Sequence, residues 1–387
     1  MRLRKLIAIV LSGLCSTLCI ACSGGTYYTV TQTVFSSGLV FSASVLGDKD
    51  EEAVEEMLDF LNEIDASVNV NRNDSLLSRF NALSAGEKIE VDYHAYKLVS
   101  AARELYYETD GAFNVALSGV SHAWGVDAEG INRYVYGNGT VTQPPSLPSE
   151  EQLSMLLGFT DMSDNTFDFY TQDGKYYLEK YVSEFKLDLG GIAKGYCADK
   201  CRDIALKYGL KSALIKLSGN VMLVGDYYNG KSYQKWGVGV INPRKEDSGS
   251  PQYVCGFYAD NDATVVTSGD YERCFDYYYE GGSSVKVCHI IDGRALMPVG
   301  VQYDPERKMY ENSDSYVISA TVIGENSMLA DAYSTAVCVM GAEKGARFLS
   351  EKGYKGIIFT SDKKYVFVGD IDFTPSENLY LTEYSPL

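Results

Sequence analysis

The chain has 387 residues, 45% of them hydrophobic, and carries 34 Lys and Arg against 52 Asp and Glu for a net charge of −18. That balance excludes a nucleic-acid binder, because no basic stripe exists to replace the counterions of a phosphate backbone. With only three histidines, and cysteine spacings that match no zinc pattern, a histidine-rich or thiolate metal centre is excluded as well.

Arg2, Arg4 and Lys5 precede an apolar run from Leu6 to Ile20, which reads as a secretory signal too short to be a stable span. The run closes on Cys19-Ile20-Ala21-Cys22, similar to a bacterial lipobox with Cys22 as the lipidated residue. We therefore expect a signal peptide over 1–21, a tether over 22–36, and a mature chain lipid-anchored on the extracytoplasmic face of the cell membrane. A simple secretory peptide without an anchor is the alternative. One domain is expected over 37–370, with an irregular insertion at 127–151 and a tail at 371–387. Cys197, Cys201, Cys255, Cys274, Cys288 and Cys338 lie mostly among apolar neighbours; some pairing is possible, but buried small hydrophobes are the default reading.

Tyr27 to Leu46 has the β-branched and aromatic character of one or two strands. The three- and four-residue spacing of Val54, Met57, Leu58, Leu61 and Ile64 predicts a helix over Glu51 to Asp65, and His94 to Tyr107 repeats the pattern. Pro144, Pro145 and Pro148 mark the 127–151 stretch as irregular. Phe167–Tyr170 and Tyr176–Lys180 read as a hairpin around Gln172-Asp173-Gly174. A short strand around Leu187 to Leu189 is expected to open through Gly190-Gly191 into a helix reaching about Tyr208. Buried strands follow over Ser212–Gly225 and Trp236–Asn242, then neighbouring strands over Ala263–Ser268, Tyr271–Tyr279 and Ser284–Ile291. Tyr316–Ile323 is a strand feeding a helix over Ser327–Met340, a further helix covers Glu343–Lys352, and the end is strand-rich. Without a regular βαβ repeat, the class is α+β, with mixed or antiparallel sheets and packed helices.

Asp188-Leu189-Gly190-Gly191-Ile192-Ala193-Lys194 is the most informative segment. Glycines let the backbone approach a bulky ligand, and a helix start offers unpaired N–H groups and a positive dipole end. Neither the Walker spacing nor the G-x-G-x-x-G fingerprint is present. Asp331 and Thr335, four apart on a helix, put two oxygens on one face, either to share a magnesium ion or as an ordinary buried acid and helix cap. His289 ends a strand as a general base or as a satisfied polar residue, and Thr267–Arg273 is a polar turn able to line a pocket. Phe113 stacks on a ligand ring or fills the core.

Taken in order, Asp74–Asn81, Gly111–Asn114, His122–Gly125, Asp188–Asp199, Thr267–Arg273, His289–Arg294 and Ala330–Thr335 resemble the FAD:protein FMN transferase (ApbE) family, whose architecture is related to the T-fold. By that resemblance, Asp188, Lys194, Ile291 and the turn Ala112-Phe113-Asn114 match positions that contact FAD, and Asn71 stands where an aromatic often flanks the adenine. Gly191, Asp331 and Thr335 match the magnesium ligands, with Ser334 at an intervening position that is sometimes acidic. Asn114 stands in place of a usual Asp, Gly293 of a common proline, and Ser218 of a common glycine. The resemblance implies transfer of FMN from FAD, consumed as a substrate, to a Thr or Ser hydroxyl of an acceptor flavoprotein of membrane electron transfer, with release of AMP. Asp331 and Lys194 would stabilise charge, and His289 would accept the hydroxyl proton. Two other readings fit the same residues: a magnesium-dependent FAD pyrophosphatase whose acceptor is water, and a flavin-binding lipoprotein without catalysis.

Overall fold

Phe41, Ala43 and Val45 are fully buried while their neighbours face outward, so Leu39–Leu46 has the period of two that commits a segment to a sheet. The computed structural model describes residues 26–35, 39–127, 130, 146–244, 252–375 and 383–384. Its central sheet has nine strands, in the spatial order Tyr28–Val34, Leu39–Leu46, Ser212–Leu217, Asn220–Gly225, Thr264–Gly269, Val317–Gly324, Lys355–Thr360, Lys364–Val368 and Glu383–Tyr384. Every neighbouring pair is antiparallel except the last, Lys364–Val368 with Glu383–Tyr384. Tyr28–Val34 and Leu39–Leu46 are the two strands read over Tyr27 to Leu46, and the first of them lies ahead of the expected domain start at 37, within the stretch expected to be a tether.

Val317–Gly324 is buried at seven successive positions, the mark of a strand covered on both faces. Helices Asp50–Val68, Ala193–Lys207, Ser327–Met340 and Ala342–Glu351 contribute to a core on one face, through Met57, Leu61, Cys201, Ala336 and Leu349. On the other, Trp236, Val240 and Phe257 from a small three-stranded sheet meet Ile357, Phe359 and Phe367. A third cluster joins the short helix Ser118–Trp124 to the hairpin Cys274–Tyr278 and Ser284–Cys288; Trp124 is fully buried and donates its indole N–H to the Leu296 carbonyl at 2.8 Å.

Several expectations need correction. Ser212–Gly225 is a hairpin of two strands turning at Ser218-Gly219, because Leu217 pairs with Asn220. The second predicted strand of the next group, Tyr271–Tyr279, begins at Cys274, and Thr267–Gly269 is strand rather than turn. Helix Glu150–Leu156, closed by a Ser149–Gln152 capping box, begins within the stretch read as irregular, while 128–129 and 131–145 lie outside the described residues. Leu187 to Leu189 is not a strand. Its apolar alternation is real, since Leu187 and Leu189 are buried and Asp188 is exposed, but no neighbouring strand pairs with it. Instead the Asn81 carboxamide accepts from Leu187 N at 2.9 Å and donates to Leu187 O at 2.8 Å, and Asp188 N donates to Val115 O. All six described cysteines are free, five of them buried, so none is paired. Cys22 and 1–21 lie outside the described residues. No described helix is long and apolar enough to cross a membrane.

Candidate functional site

Helix Ala193–Lys207 starts directly after the Gly-Gly turn, so Lys194 sits on its first turn, as expected. Neither glycine requires a positive φ. Close packing explains them: a Cβ on Gly191 would come within 3.2 Å of the Phe113 ring and 3.9 Å of Thr335 Oγ1, and one on Gly190 within 3.2 Å of Asp188 Oδ1. The turn is therefore pressed between the Phe113 aromatic and the helix Ser327–Met340.

That helix carries Asp331, only 2% exposed, in the core of the molecule. Its Oδ2 accepts the backbone N–H of Gly195 at 3.0 Å, and its Oδ1 lies 3.2 Å from the Lys194 ammonium. Lys194 also donates to the Gly190 carbonyl at 2.6 Å. Burial raises the Asp331 carboxyl above its ordinary range, and Lys194 and the Gly195 N–H pull it back. Thr335, one helical turn on, bonds back to the Asp331 carbonyl and meets Ser268 Oγ at 3.3 Å. Ser334 is fully buried, bonds Ser268 Oγ at 2.7 Å and has no place in the cleft wall. Asn220, 1% exposed, lies beside the Asp331 carboxylate and helps to hold its pKa down.

A cleft of about 350 Å³ opens here, and its wall contains the residues expected to contact FAD or magnesium or to accept the proton: Asn71, the turn Ala112-Phe113-Asn114, Asp188, Gly191, Lys194, His289, Ile291, Asp331 and Thr335. Residues separated by more than 260 positions meet across one space. Phe113 is 1% exposed and serves both readings, filling the core while presenting one edge to the cleft and the Gly191 turn. Asn114 Nδ2 donates to Thr160 O at 2.9 Å and its Oδ1 accepts Ala116 N at 2.8 Å, so its amide also shapes the turn, with one lone pair and one N–H left over. Gly293 packs on that amide, where a Cβ would come within 2.9 Å of Asn114 Nδ2. Asp188, which lines the cleft, accepts Gly190 N on Oδ1 at 2.9 Å, and its second oxygen has no hydrogen-bond partner among the described residues. His289 is largely buried, and burial, then the charges of Arg273 and Lys194, push its pKa down to about 4. Its imidazole is neutral near pH 7, and Nδ1 has no hydrogen-bond partner among the described residues.

The donor chemistry suits a hard cation. No group of three His, Cys, Asp or Glu stands together among the described residues, so a metal here would rest on the Asp331 carboxylate, the Thr335 hydroxyl and the Gly191 backbone. Such an under-filled oxygen set is what Mg²⁺ takes, completing its shell with water and phosphate oxygens. The absence of a Cβ at Gly191 keeps open the gap between it and Thr335 Oγ1.

Some of this site was out of reach of the sequence. Phe35, just after the first strand, and Leu39, which begins the second, line the cleft, and no local pattern marks them. Asp199 accepts Ser327 N and Met328 N at 2.9 Å each, fixing the start of the Asp331 helix; an acid six residues from a helix start gives no sign of a partner 128 positions away.

The ApbE family model matches residues 25–358. A FAD:protein FMN transferase of Treponema pallidum is 28% identical over 324 residues, covering 81% of this chain and 78% of that protein. One from Vibrio cholerae is 26% identical over 300 residues, 77% of each. One from Rhodobacter capsulatus is 28% identical over 288 residues, 74% of this chain but 46% of that protein, so the match spans about half that relative's length. Among solved structures, the ApbE protein of Thermotoga maritima aligns with a TM-score of 0.67 at 27% identity, covering 92% of this chain and all (100%) of that one. The apo flavinyl transferase ApbE of Pseudomonas stutzeri aligns at 0.64 and 22% identity over 92% and 98%, a likeness of fold.

Proposed function

The chain belongs to the ApbE family, and from that premise we propose that it is a Mg²⁺-dependent FAD:protein FMN transferase acting on a Thr or Ser hydroxyl of an extracytoplasmic acceptor flavoprotein. The observation that carries this reading is the convergence of Asp188, Gly191, Lys194, His289, Asp331 and Thr335 on one cleft beside the Phe113 ring. The chemistry is phosphoryl transfer, in which positioning and charge neutralisation do most of the work.

Asp331, Thr335 and the Gly191 backbone would hold the magnesium ion, which supplies charge neutralisation to the diphosphate when bound. Lys194, held by Asp331 and the Gly190 carbonyl, keeps a second positive charge beside the same phosphates. Asp188 accepts hydrogen bonds from the nucleotide through its second oxygen. In the transfer step the acceptor oxygen bonds to the FMN phosphorus. The bridging P–O bond of the diphosphate breaks, its electron pair leaving with AMP. The hydroxyl proton passes to the neutral His289 imidazole and then to solvent. FAD is a substrate here, used up in each turnover.

The test is incubation with FAD, Mg²⁺ and an acceptor flavoprotein, followed by in-gel flavin fluorescence after denaturation. A covalently fluorescent acceptor supports the reading, and Asp331→Ala abolishes the signal. FMN and AMP formed at equal rates with and without acceptor would instead make the protein a pyrophosphatase. FAD retained intact would make it a flavin carrier. We further propose anchoring through Cys22, supported by the basic start, the apolar run and the lipobox-like segment. Cys22→Ala should then release the protein from membranes on fractionation.

A further inference from the structure

The cleft continues into a second lobe of about 410 Å³, which shares Asn71, Ser121, Asp188, Arg273 and His289 with the first. The two lobes differ in chemistry. The first is walled by Phe35, Leu39, Phe113, Leu189 and Ile290, surfaces on which flat ring systems rest. The second adds Asn73, Ser78, Asn81, Asp127 and Lys186, with Val70, Ala82 and Val126 as its apolar side chains. Several of its polar groups have no partner among the described residues: the side chains of Asn73, Ser118, Ser121, Lys186 and Arg273 make no hydrogen bond or ion pair. Elsewhere guanidinium groups are mostly engaged, as Arg244 is by Asp270 and Arg294 by Asp292.

We propose that this second lobe receives the acceptor as an extended stretch of polypeptide, and delivers its hydroxyl to His289 at the junction with the first lobe. The inference rests on the transferase reading and adds where the protein substrate binds. An extended chain presents unpaired N–H and C=O groups on both edges, and each needs a partner when it leaves water. Amides, hydroxyls and cations, with the carboxylates of Asp127 and Asp188, line this polar lobe and supply those partners. Adenine or isoalloxazine would find little apolar wall there. His289 lines both lobes with an unpaired Nδ1, so a hydroxyl arriving from the polar side and a diphosphate held on the Asp331 side meet at the same group. The hydroxyl proton then has a destination that neither substrate supplies.

Asn73 and Lys186 are exposed, line only the second lobe, and make no internal contact that folding needs, so Asn73→Trp and Lys186→Glu probe it without removing a structural bond. The probe is a pool of 15-residue peptides with a central threonine and randomised neighbours, incubated with wild-type protein, FAD and Mg²⁺. Peptides that become fluorescent are sequenced, and the best is used for kinetics. Both variants should raise the peptide KM by about tenfold or more. The FAD dissociation constant, read by flavin fluorescence quenching without peptide, should stay within twofold and doubles as the check on folding. Unchanged peptide KM in both variants would overturn the inference and leave the transferase reading standing. A matching loss of FAD affinity would also overturn it, by making the lobe part of the nucleotide site. Failure of the wild type to label any peptide or any acceptor flavoprotein would remove both.

Discussion

Asp199 and Asp331 are reciprocal caps: each sits inside one helix and holds the N-terminus of the other. Asp199, on Ala193–Lys207, accepts Ser327 N and Met328 N, and Asp331, on Ser327–Met340, accepts Gly195 N. The orphan N–H groups that begin both helices are thus satisfied across the helix pair, beside the cleft. Asp199→Ala should lower stability by about 1–2 kcal/mol, in the range for a lost cap. Urea unfolding measures the loss, and FAD affinity at saturating Mg²⁺ should change little.

Asp331→Asn separates capping from charge. An asparagine oxygen can still accept Gly195 N, so unfolding free energy should move by no more than about 1 kcal/mol. Metal-dependent FAD binding should fall by at least about a hundredfold by calorimetric titration, since the one carboxylate in the oxygen set is gone. An affinity within threefold of wild type would remove Asp331 from the metal site.

Gly195 allows no side chain. A Cβ there would lie 2.1 Å from the Ser327 carbonyl oxygen and 2.7 Å from Met328 Cα, both main-chain atoms that cannot swing aside. Gly195→Ala should therefore separate the two helices and lower stability by about 2–4 kcal/mol. Gly190→Ala, whose nearest neighbour is the Asp188 carboxylate at 3.2 Å, should cost less than about 1 kcal/mol. Paired thermal melts compare them.

His289 gives the fold an acid sensitivity. Its pKa is held near 4, against 6.5 for an unperturbed histidine, so the unfolded chain takes up the proton first as pH falls. Its contribution is complete above pH 6.5 and is lost as pH drops toward 4, amounting to about 2–3 kcal/mol by pH 4.5. Urea titrations at pH 7.5 and 4.5 should show a drop smaller by that amount in His289→Gln. An equal drop in both proteins would place the sensitivity elsewhere.

Ser218 turns the hairpin between Ser212–Leu217 and Asn220–Gly225 with φ of 51°, at the first of two turn positions, where glycine is favoured. Ser218→Gly should raise stability by about 1 kcal/mol, read as a higher midpoint in urea.

The helices were legible because their apolar spacing is local: Val54, Met57, Leu61 and Ile64 are all buried along Asp50–Val68. The cleft residues were legible through a family resemblance, since nothing in spacing alone brings Asn71 to Thr335. The error at Leu187–Leu189 has a physical source. A carboxamide from Asn81 bonds both polar groups of Leu187, as a neighbouring strand would, so the alternation matched a strand that is not there. Asn114 shows what residue type alone leaves out: it lines the cleft as expected, and its amide also holds Thr160 and Ala116, partners that no local pattern announces. The short hairpins Val301–Asp304 with Met309–Asn312, and Ile291–Asp292 with Met297–Pro298, depend on distant packing and carry weak local patterns.

The free cysteines carry a consequence for the chain's itinerary. Burial lifts the thiols of Cys197, Cys201 and Cys338 well above the ordinary range, Cys255 to about 11 and Cys288 to about 12. At neutral pH almost none of these is a thiolate, the form that attacks an oxidant or a disulfide. The native state therefore shelters its sulfur chemistry, whereas a chain exported unfolded into an oxidising environment, as the proposed anchoring through Cys22 would require, would expose it. Maturation on that route would be a race between collapse and cross-linking, which a thiol oxidant would hinder and a chaperone or reductase keeping the emerging chain reduced would help to win.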